Sequence, residues 1–179
     1  VNDFITSPEI SQMFGEVLAI FLISYWENKI NKKFNLVELG PGKGTLLKDI
    51  LRTSSINQKF LNSMSLTLIE KNKSLIDIQK KIMNSQKITW SEEFNITNKN
   101  IPSIIYSNEF FDCFPVQQFH KKEKWYEKYV HYNEFEQNFT LVSQQVEDKK
   151  ILKSLEKFEQ VKVAEISHSR NEYFKLVCT

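Results

Sequence analysis

Cysteine is scarce in this chain of 179 residues, which contains only Cys113 and Cys178. Two cysteines are too few for a disulfide scaffold or a zinc cluster, so a reducing compartment is expected. Long apolar runs are also missing, because the longest, from Val17 to Trp26, has about half the length that a membrane span needs. The first residues lack the charged lead and the cleavage site of a signal peptide. We therefore expect no membrane span.

The number of arginines and the net charge are low as well. Arg52 and Arg170 are the only arginines, and the formal net charge at pH 7 is +2, with lysines spread along the chain. A nucleic acid held by electrostatics would need a concentrated basic surface, so no nucleic-acid partner is expected. The composition, 41% hydrophobic and 26% charged, is typical of a globular protein with one domain and a sizeable core.

Short apolar segments alternate with helical patterns over the first part of the chain. Thr6 and Glu9 have the spacing of a capping box around Pro8, and apolar residues then recur at helical spacing to about Trp26 or Ile30. Further strands are predicted at 36–39, 66–69, 88–90 and 103–107, and further helices at about 45–52 and 75–82. This order of strands and helices predicts an α/β fold with a parallel sheet.

The pattern changes after residue 120. Segments 125–130 and 139–142 predict an antiparallel hairpin with Trp125, Tyr126 and Tyr129 on its inner face. Residues 151–158 are predicted as a helix, whereas 161–179 fit no single element. We expect one domain over 1–179, with 35–119 as its ligand-binding core and 120–145 as an inserted hairpin.

Three of the four glycines lie in the segment LVELGPGKGT at 36–45. A phosphate-binding P-loop is disfavoured because Lys43 is followed by Gly44, where the P-loop has a serine or threonine. A dinucleotide fingerprint is disfavoured because Thr45 stands where a small residue is needed.

The spacing that remains, E-x-G-x-G-x-G, resembles the first motif of class I methyltransferases that use S-adenosylmethionine (SAM). A bare backbone would approach the methionyl part of SAM closely, and a carboxylate at the strand end would orient its cationic amino-acid group. The residues predicted to bind SAM here are Glu38, Gly40, Gly42 and Gly44. The alternative is a plain strand-to-helix turn with a glycine cap.

Glu70 ends the second predicted strand. An acid at this position can accept hydrogen bonds from both ribose hydroxyls of an adenosine, and its other interpretation is a solvated strand end. Trp90, Ser91 and Glu92 follow the third strand, where this fold often lines an adenine, and the sequence leaves their role open.

Polar side chains follow the fourth predicted strand in the segment SNEFFDCFPVQQF. Asn108, Glu109 and Asp112 would lie at the carboxyl end of a parallel strand, where open α/β sheets bind ligands. Two acids near a methyl donor can hold a cationic nitrogen and take its proton, and the planar guanidinium of arginine fits a carboxylate well. We therefore predict these three residues as catalytic, and the alternative is a surface loop over aromatic side chains.

The histidines and cysteines give no sign of a metal site. His120, His131 and His168 lack metal-ligand spacing, and Cys113 has no partner that would make it a nucleophile. No metal is predicted.

Three stretches together resemble one methyltransferase family: DFITSPEISQMFGE at 3–16, VELGPGKGTL at 37–46 and NEFFDCFPVQQF at 108–119. They are similar to SAM-dependent methyltransferases that include the bacterial MidA-like proteins and a mitochondrial complex I assembly factor that methylates arginine. The resemblance extends from residue 3 to about residue 130, and faintly to about 163. One departure is Lys43, where the family commonly has arginine.

The resemblance implies a class I, Rossmann-like methyltransferase fold, with SAM as cofactor and a protein arginine as methyl acceptor. For the mitochondrial branch, the acceptor would belong to a subunit of respiratory complex I. The resemblance also implies that Thr6, Ser7 and Pro8 lie beside the SAM pocket. The expected location is the bacterial cytoplasm, with the mitochondrial matrix as the alternative.

Members of that family carry a further segment before the first stretch and a long one after the hairpin. The chain is therefore expected to be truncated at both ends and to lack the fifth to seventh strands of the sheet. An unpaired strand edge would then favour a partner chain that completes the sheet. The alternative function is a non-catalytic SAM-binding or assembly module.

Overall fold

A computed structural model describes residues 5–83, 88–95, 100–158 and 160–178. Residues 3 and 4, which begin the first of the three stretches, lie outside the described residues. The chain divides into two compact units, residues 1–112 and 113–179, and each is considered by itself. Whether they form the single domain expected from the sequence stays a prediction.

The first unit contains a four-stranded parallel sheet, as predicted. Its strands are β1 (Phe34–Leu39), β2 (Met64–Ile69), β3 (Ile88–Ser91) and β4 (Ser103–Ser107), in the order β3-β2-β1-β4. The two central strands are mostly buried, which explains why four of the six residues in each are apolar. Since all four strands run in one direction, their carboxyl ends meet at one edge of the sheet.

Five α-helices accompany this sheet in the described residues. They are α1 (Ser7–Ile10), α2 (Gln12–Tyr25), α3 (Thr45–Ser54), α4 (Gln58–Ser63) and α5 (Lys73–Met83), and α2 continues into a π-helical turn at Trp26–Ile30. None of the helices in the described part of the chain is long and apolar enough to cross a membrane.

The first predicted helix is interrupted at Ser11. Its backbone is extended there, with φ −150° and ψ 128°, and its side chain accepts a hydrogen bond from the Met13 amide, so Ser11 caps α2. The predicted capping box at Thr6 is wrong, because the Thr6 side chain makes no cap hydrogen bond. The Glu9 carboxylate instead pairs with the Lys43 ammonium at 3.1 Å.

An aromatic cluster forms the centre of the core in the first unit. The rings of Trp26, Phe34 and Phe60 have centroids 5.3–6.3 Å apart, and all three residues are almost completely buried. The indole N–H of Trp26 donates to the Lys32 carbonyl at 2.9 Å, so its one polar group is satisfied. The cluster therefore ties the end of α2 to β1 and α4.

The second unit contains a four-stranded antiparallel sheet and two α-helices in its described residues. The strands are β5 (Gln117–Lys121), β6 (Trp125–Asn133), β7 (Asn138–Gln145) and β8 (Val163–Ile166), in the order β7-β6-β5-β8. The helices are α6 (Lys149–Leu155), which continues into a 3-10 turn at Glu156–Phe158, and α7 (His168–Cys178). Strands β6 and β7 confirm the predicted hairpin, whereas β5 and β8 were not predicted.

Of the three residues predicted for the inner face of that hairpin, Trp125 is buried, Tyr129 shares its face of the strand but is exposed, and Tyr126 is on the other face. Trp125 is buried in the core of the second unit with Phe119 and Leu155, whereas Tyr126 lies on the opposite face of the strand. There the ring of Tyr126 stacks on His120, with centroids 5.5 Å apart. The period of two along a strand makes it impossible for neighbours 125 and 126 to share a face.

Gly15 allows α2 and α3 to pack closely. A Cβ at this position would lie 2.6 Å from Asp49 Cβ and 3.4 Å from the Leu46 carbonyl oxygen. We expect Gly15→Ala to lower the free energy of unfolding by about 1–3 kcal/mol, because this overpacking outweighs the helix propensity of alanine, about 1 kcal/mol. Urea denaturation measures the change.

A double-mutant cycle with Asp49→Gly is the control, since it removes the atom that the new Cβ would meet. The effect of Gly15→Ala should shrink in that background. An equal effect in both backgrounds would contradict close packing at Gly15.

Candidate active site

The glycine loop leaves β1 in a conformation that side chains rarely adopt. Gly40 has φ +63° and Gly44 has φ +86°, both in the left-handed region. Added Cβ atoms would lie 2.5 Å from Phe110 Cδ2 at Gly40 and 2.5 Å from Met83 Cε at Gly44. These two glycines therefore let the loop pack against the residues after β4 and against α5.

Gly42 has a different environment. Nothing lies within 4 Å of a Cβ built on it, so its backbone faces open space. A cavity of about 370 Å³, within the size range of small-molecule sites, lies against this loop. Its lining comes from the loop and Glu38, from Thr6, Pro8 and Glu9 around α1, from Leu75 of α5, and from Asn108 after β4.

The predicted site residues fall into two groups. Those that line the cavity are Thr6, Pro8, Glu38, Gly40, Gly42 and Asn108. Those that lie outside its lining are Ser7, Gly44, Glu70, Glu109 and Asp112. The first group joins three parts of the sequence that are far apart in the chain. The carboxyl ends of β1 and β4 are adjacent in the sheet, and the ion pair between Glu9 and Lys43 joins α1 to the loop.

Glu38 is the buried charge of the cavity. The residue is 3% exposed, and its Oε2 accepts a hydrogen bond from the Tyr106 hydroxyl at 3.0 Å. Burial raises the pKa of the Glu38 carboxyl to about 7, and the hydrogen bond from Tyr106 lowers it in part. Burial, together with the charge of Glu38, raises the pKa of Tyr106 well above its usual value. A cation in the cavity would favour the ionised form of Glu38.

Glu70 occupies the carboxyl end of β2, as predicted. Its Oε1 accepts from the Asn72 amide at 2.9 Å, and Asn72 in turn caps the start of α5 through Ser74. The carboxylate therefore holds the β2–α5 turn, and it has acceptor capacity for further hydrogen bonds. Its ribose-binding role stays a prediction.

Asn108, Glu109 and Asp112 follow β4 in sequence, but their environments differ. Asn108 lines the cavity, whereas Glu109 and Asp112 are exposed. Glu109 has φ +51°, a left-handed conformation that costs energy for a residue with a Cβ. Phe110, between them, is the residue that packs against Gly40. The catalytic role of these three residues stays a prediction.

Sequence reasoning missed Gln79, a fully buried polar residue on α5. Its Nε2 donates to the Gly42 carbonyl at 2.6 Å, and its Oε1 accepts from the Trp90 indole N–H at 3.0 Å. Gln79 thus links the glycine loop to β3. Helical spacing from Leu75 places Gln79 on the buried face of α5, and that spacing was the signal in the sequence.

Two further features of the site were missed. The hydroxyl of Tyr106 donates a hydrogen bond to Glu38. A tyrosine within a predicted strand does not indicate such a partner in the sequence. The Lys43–Glu9 ion pair joins α1 to the glycine loop beside the cavity. Within the described ranges, no group of His, Cys, Asp and Glu residues is arranged to hold a metal ion.

The parallel sheet, the glycine loop after β1 and the adjoining cavity define an α/β protein with a Rossmann-like, class I methyltransferase fold. The chain belongs to the family described as "Putative S-adenosyl-L-methionine-dependent methyltransferase", whose model matches residues 17–177. The resemblance inferred from the three sequence stretches is thereby confirmed.

Two curated relatives of the chain carry the same name. It is 41% identical over 144 residues to the protein arginine methyltransferase NDUFAF7, mitochondrial, of Bos taurus, and the match covers 67% of this chain and 33% of that protein. It is 37% identical over 154 residues to the Homo sapiens protein of the same name, covering 72% of this chain and 35% of that protein. The chain thus spans about a third of the length of these relatives.

Solved structures share the fold at low sequence identity. A COG1565 superfamily member from Burkholderia thailandensis, crystallised with S-adenosyl-homocysteine, has a TM-score of 0.77 and 18% identity, covering 98% of this chain and 46% of that one. A native crystal structure of a COG1565 superfamily protein from the same organism has a TM-score of 0.78 and 19% identity, covering 98% and 47%. These similarities establish the fold.

Glu38→Gln tests the cost of burying this carboxylate. In the folded protein its pKa is about 7 against an ordinary 4.5, so its stabilising contribution is present below pH 4.5 and is lost as pH rises through 7. We expect the stability difference to shift in favour of the glutamine variant between pH 5 and pH 8, by up to about 3 kcal/mol. Chemical denaturation across this pH range measures the difference.

The exposed Glu92→Gln is the matched control, because the same chemical change there should give a stability difference that does not vary with pH. A Glu38→Gln difference that also stays constant with pH would show that Glu38 is not desolvated in the folded protein.

Proposed function

We propose that this chain binds SAM in the cavity at the glycine loop and transfers its methyl group to a protein arginine. The observation that carries the proposal is the pairing, in one cavity, of open backbone at Gly42 with the buried carboxylate of Glu38. Bare backbone suits close approach of a ligand, and a buried carboxylate needs a cation, which the amino-acid end of SAM supplies. Membership of a methyltransferase family supports the same reading.

The proposed SAM-binding residues extend along the cavity and beyond it. Glu38 and the glycine loop would hold the methionyl end, beside the α1 residues Thr6, Ser7 and Pro8. Glu70, at the end of the neighbouring strand β2, would accept from the ribose hydroxyls. The residues proposed to bind SAM are Thr6, Ser7, Pro8, Glu38, Gly40, Gly42, Gly44 and Glu70.

The proposed catalytic residues are Asn108, Glu109 and Asp112. When bound, SAM supplies an electrophilic methyl group on a sulfonium. We infer that Glu109 and Asp112 pair with the guanidinium of the acceptor arginine and that one of them takes the proton lost by its nitrogen. Asn108, which lines the cavity, would orient the reacting nitrogen, and alignment of that nitrogen with the methyl group would supply most of the rate.

The acceptor and the location belong to the same proposal. Arginine as acceptor is supported by the name that the relatives carry, and a mitochondrial location is supported by the same name. A subunit of respiratory complex I is the proposed protein substrate. A bacterial cytoplasmic location is the alternative.

A second candidate is a SAM-binding module without turnover. The observation that favours it is the position of β4, which lies at an edge of the parallel sheet in the described residues. In this candidate, a partner chain that pairs with β4 would supply the remaining wall of the acceptor site, and the chain alone would bind SAM without transferring its methyl group.

Gly42→Val tests the cofactor site. A valine at φ +55° is strained, and its side chain would enter the space that the cavity leaves open. We expect micromolar affinity for S-adenosyl-homocysteine in the parent and at least a tenfold loss in the variant, measured by isothermal titration calorimetry. Gly42→Ala, which adds less volume at the same backbone angle, should lose less. Equal affinity in all three proteins would remove the loop from the proposed site.

Glu109→Gln and Asp112→Asn test the acceptor side. Each variant should lower methyl transfer from labelled SAM to an arginine peptide at least tenfold, with affinity for S-adenosyl-homocysteine kept within about twofold, because these residues lie outside the cavity lining. A peptide with lysine in place of arginine is the matched substrate control. Cofactor binding without any transfer by the parent chain would support the second candidate.

A further inference from the structure

The Tyr106 hydroxyl and the Glu38 carboxylate form a pair between neighbouring strands. The two residues are register partners on the parallel strands β4 and β1, and the hydroxyl donates to Glu38 Oε2 at 3.0 Å. Glu38 lines the cavity and is 3% exposed. One carboxylate oxygen is therefore fixed by a donor within the sheet, at the wall of the proposed cofactor site.

The neighbours of Glu38 on the two adjacent strands differ in polarity. On its other side, the register partner in β2 is Leu68, which is fully buried. The other charged groups that line the cavity are Glu9 of α1 and Lys43 of the glycine loop, and they pair with each other at 3.1 Å. Of the side chains that the structure describes, Tyr106 is the one that donates a hydrogen bond to this carboxylate.

We propose that Tyr106 is a positioning residue for the cofactor: its hydroxyl fixes one oxygen of Glu38 and favours the anionic carboxylate, whose other oxygen receives the cationic amino group of SAM. This inference rests on the proposed function. It adds a residue that acts through Glu38 and does not itself touch the cofactor.

The electrostatics agree with this geometry. Burial disfavours the charged form of Glu38, and a hydrogen bond to the charged form opposes that effect. The pKa of Tyr106 is raised well above its usual value, so its hydroxyl keeps its proton and remains a donor over the whole physiological range. A phenylalanine at 106 would fill nearly the same space without the donor.

Tyr106→Phe separates positioning from packing through the pH dependence of S-adenosyl-homocysteine binding, measured by calorimetry on the full chain between pH 6 and 8.5. In the parent, affinity should rise as Glu38 ionises near pH 7. The variant should bind about five- to tenfold more weakly than the parent at pH 6.5, and the difference in affinity should fall below about threefold at pH 8. This corresponds to a shift of about one pH unit in the acidic limb, the part of the curve in which affinity rises as Glu38 ionises. A fall at higher pH, from loss of the ligand's own ammonium proton, should be the same in both proteins.

Two further variants complete the test. In a Glu38→Gln background, Tyr106→Phe should change affinity less than twofold, and the acidic limb should be absent. Tyr25→Phe, an exposed residue of α2 outside the cavity lining, makes the same chemical change and should leave the pH profile unchanged.

The outcomes distinguish this inference from the function on which it rests. No binding of S-adenosyl-homocysteine by the parent would overturn the proposed function. Binding by the parent, with a Tyr106→Phe effect that is absent or equal at every pH, would overturn the positioning role alone. Thermal unfolding of each variant identifies any loss of folded protein before titration.

Discussion

The carboxylate of Glu38 is held out of water at the end of β1, in a strand that is buried along almost its whole length. A buried charge is costly unless a partner compensates it, and the hydroxyl of Tyr106 compensates only in part. The folded protein thus contains a buried carboxylate whose charge is only partly compensated. A bound cation would stabilise this buried carboxylate and so offset the free energy of its desolvation. The same carboxylate therefore lowers the stability of the free protein and raises its affinity for a cationic ligand.

The glycine loop is held by three tertiary contacts, one at each glycine. Gly40 packs against Phe110 after β4, Gly44 packs against α5, and the carbonyl of Gly42 accepts from Gln79. The first contact comes from the segment after β4 and the other two come from α5, so tertiary contacts from two parts of the chain hold the loop. The one face without a neighbour within 4 Å of an added Cβ is that of Gly42. A rigid loop with one open face keeps the entropy cost of ligand binding low.

Much of the fold could be predicted because its signals are local. The buried strands β1 and β2 are mostly apolar, and the two hairpin strands are rich in aromatic and β-branched residues on either side of a turn. Residues 117–121 read QQFHK, with one apolar side chain, and this strand exists because β6 and β8 pair with it on both sides. The break at Ser11 likewise depends on a single cap between two helical patterns.

The site shows the same division between local and distant signals. Glu38 and its glycines could be found from spacing alone, since the backbone demands of a turn are local. Gln79 and Tyr106 could not be assigned a role, because their partners lie 37 and 68 residues away in the chain and only the folded sheet brings them together. A polar atom on a buried face reports that a partner exists but does not say which one it is.

Phe110 connects the glycine loop, where the cofactor is proposed to bind, to the segment of the proposed catalytic residues. Its ring would lie 2.5 Å from a Cβ on Gly40, and it stands in the chain between Glu109 and Asp112. A bulkier or smaller side chain at 110 would therefore change the packing of the glycine loop and, at the same time, the segment that carries the proposed catalytic residues. In the function proposed above, a change of methyl acceptor would involve the exposed residues at 109 and 112, whereas a change at 110 would also alter the packing of the glycine loop.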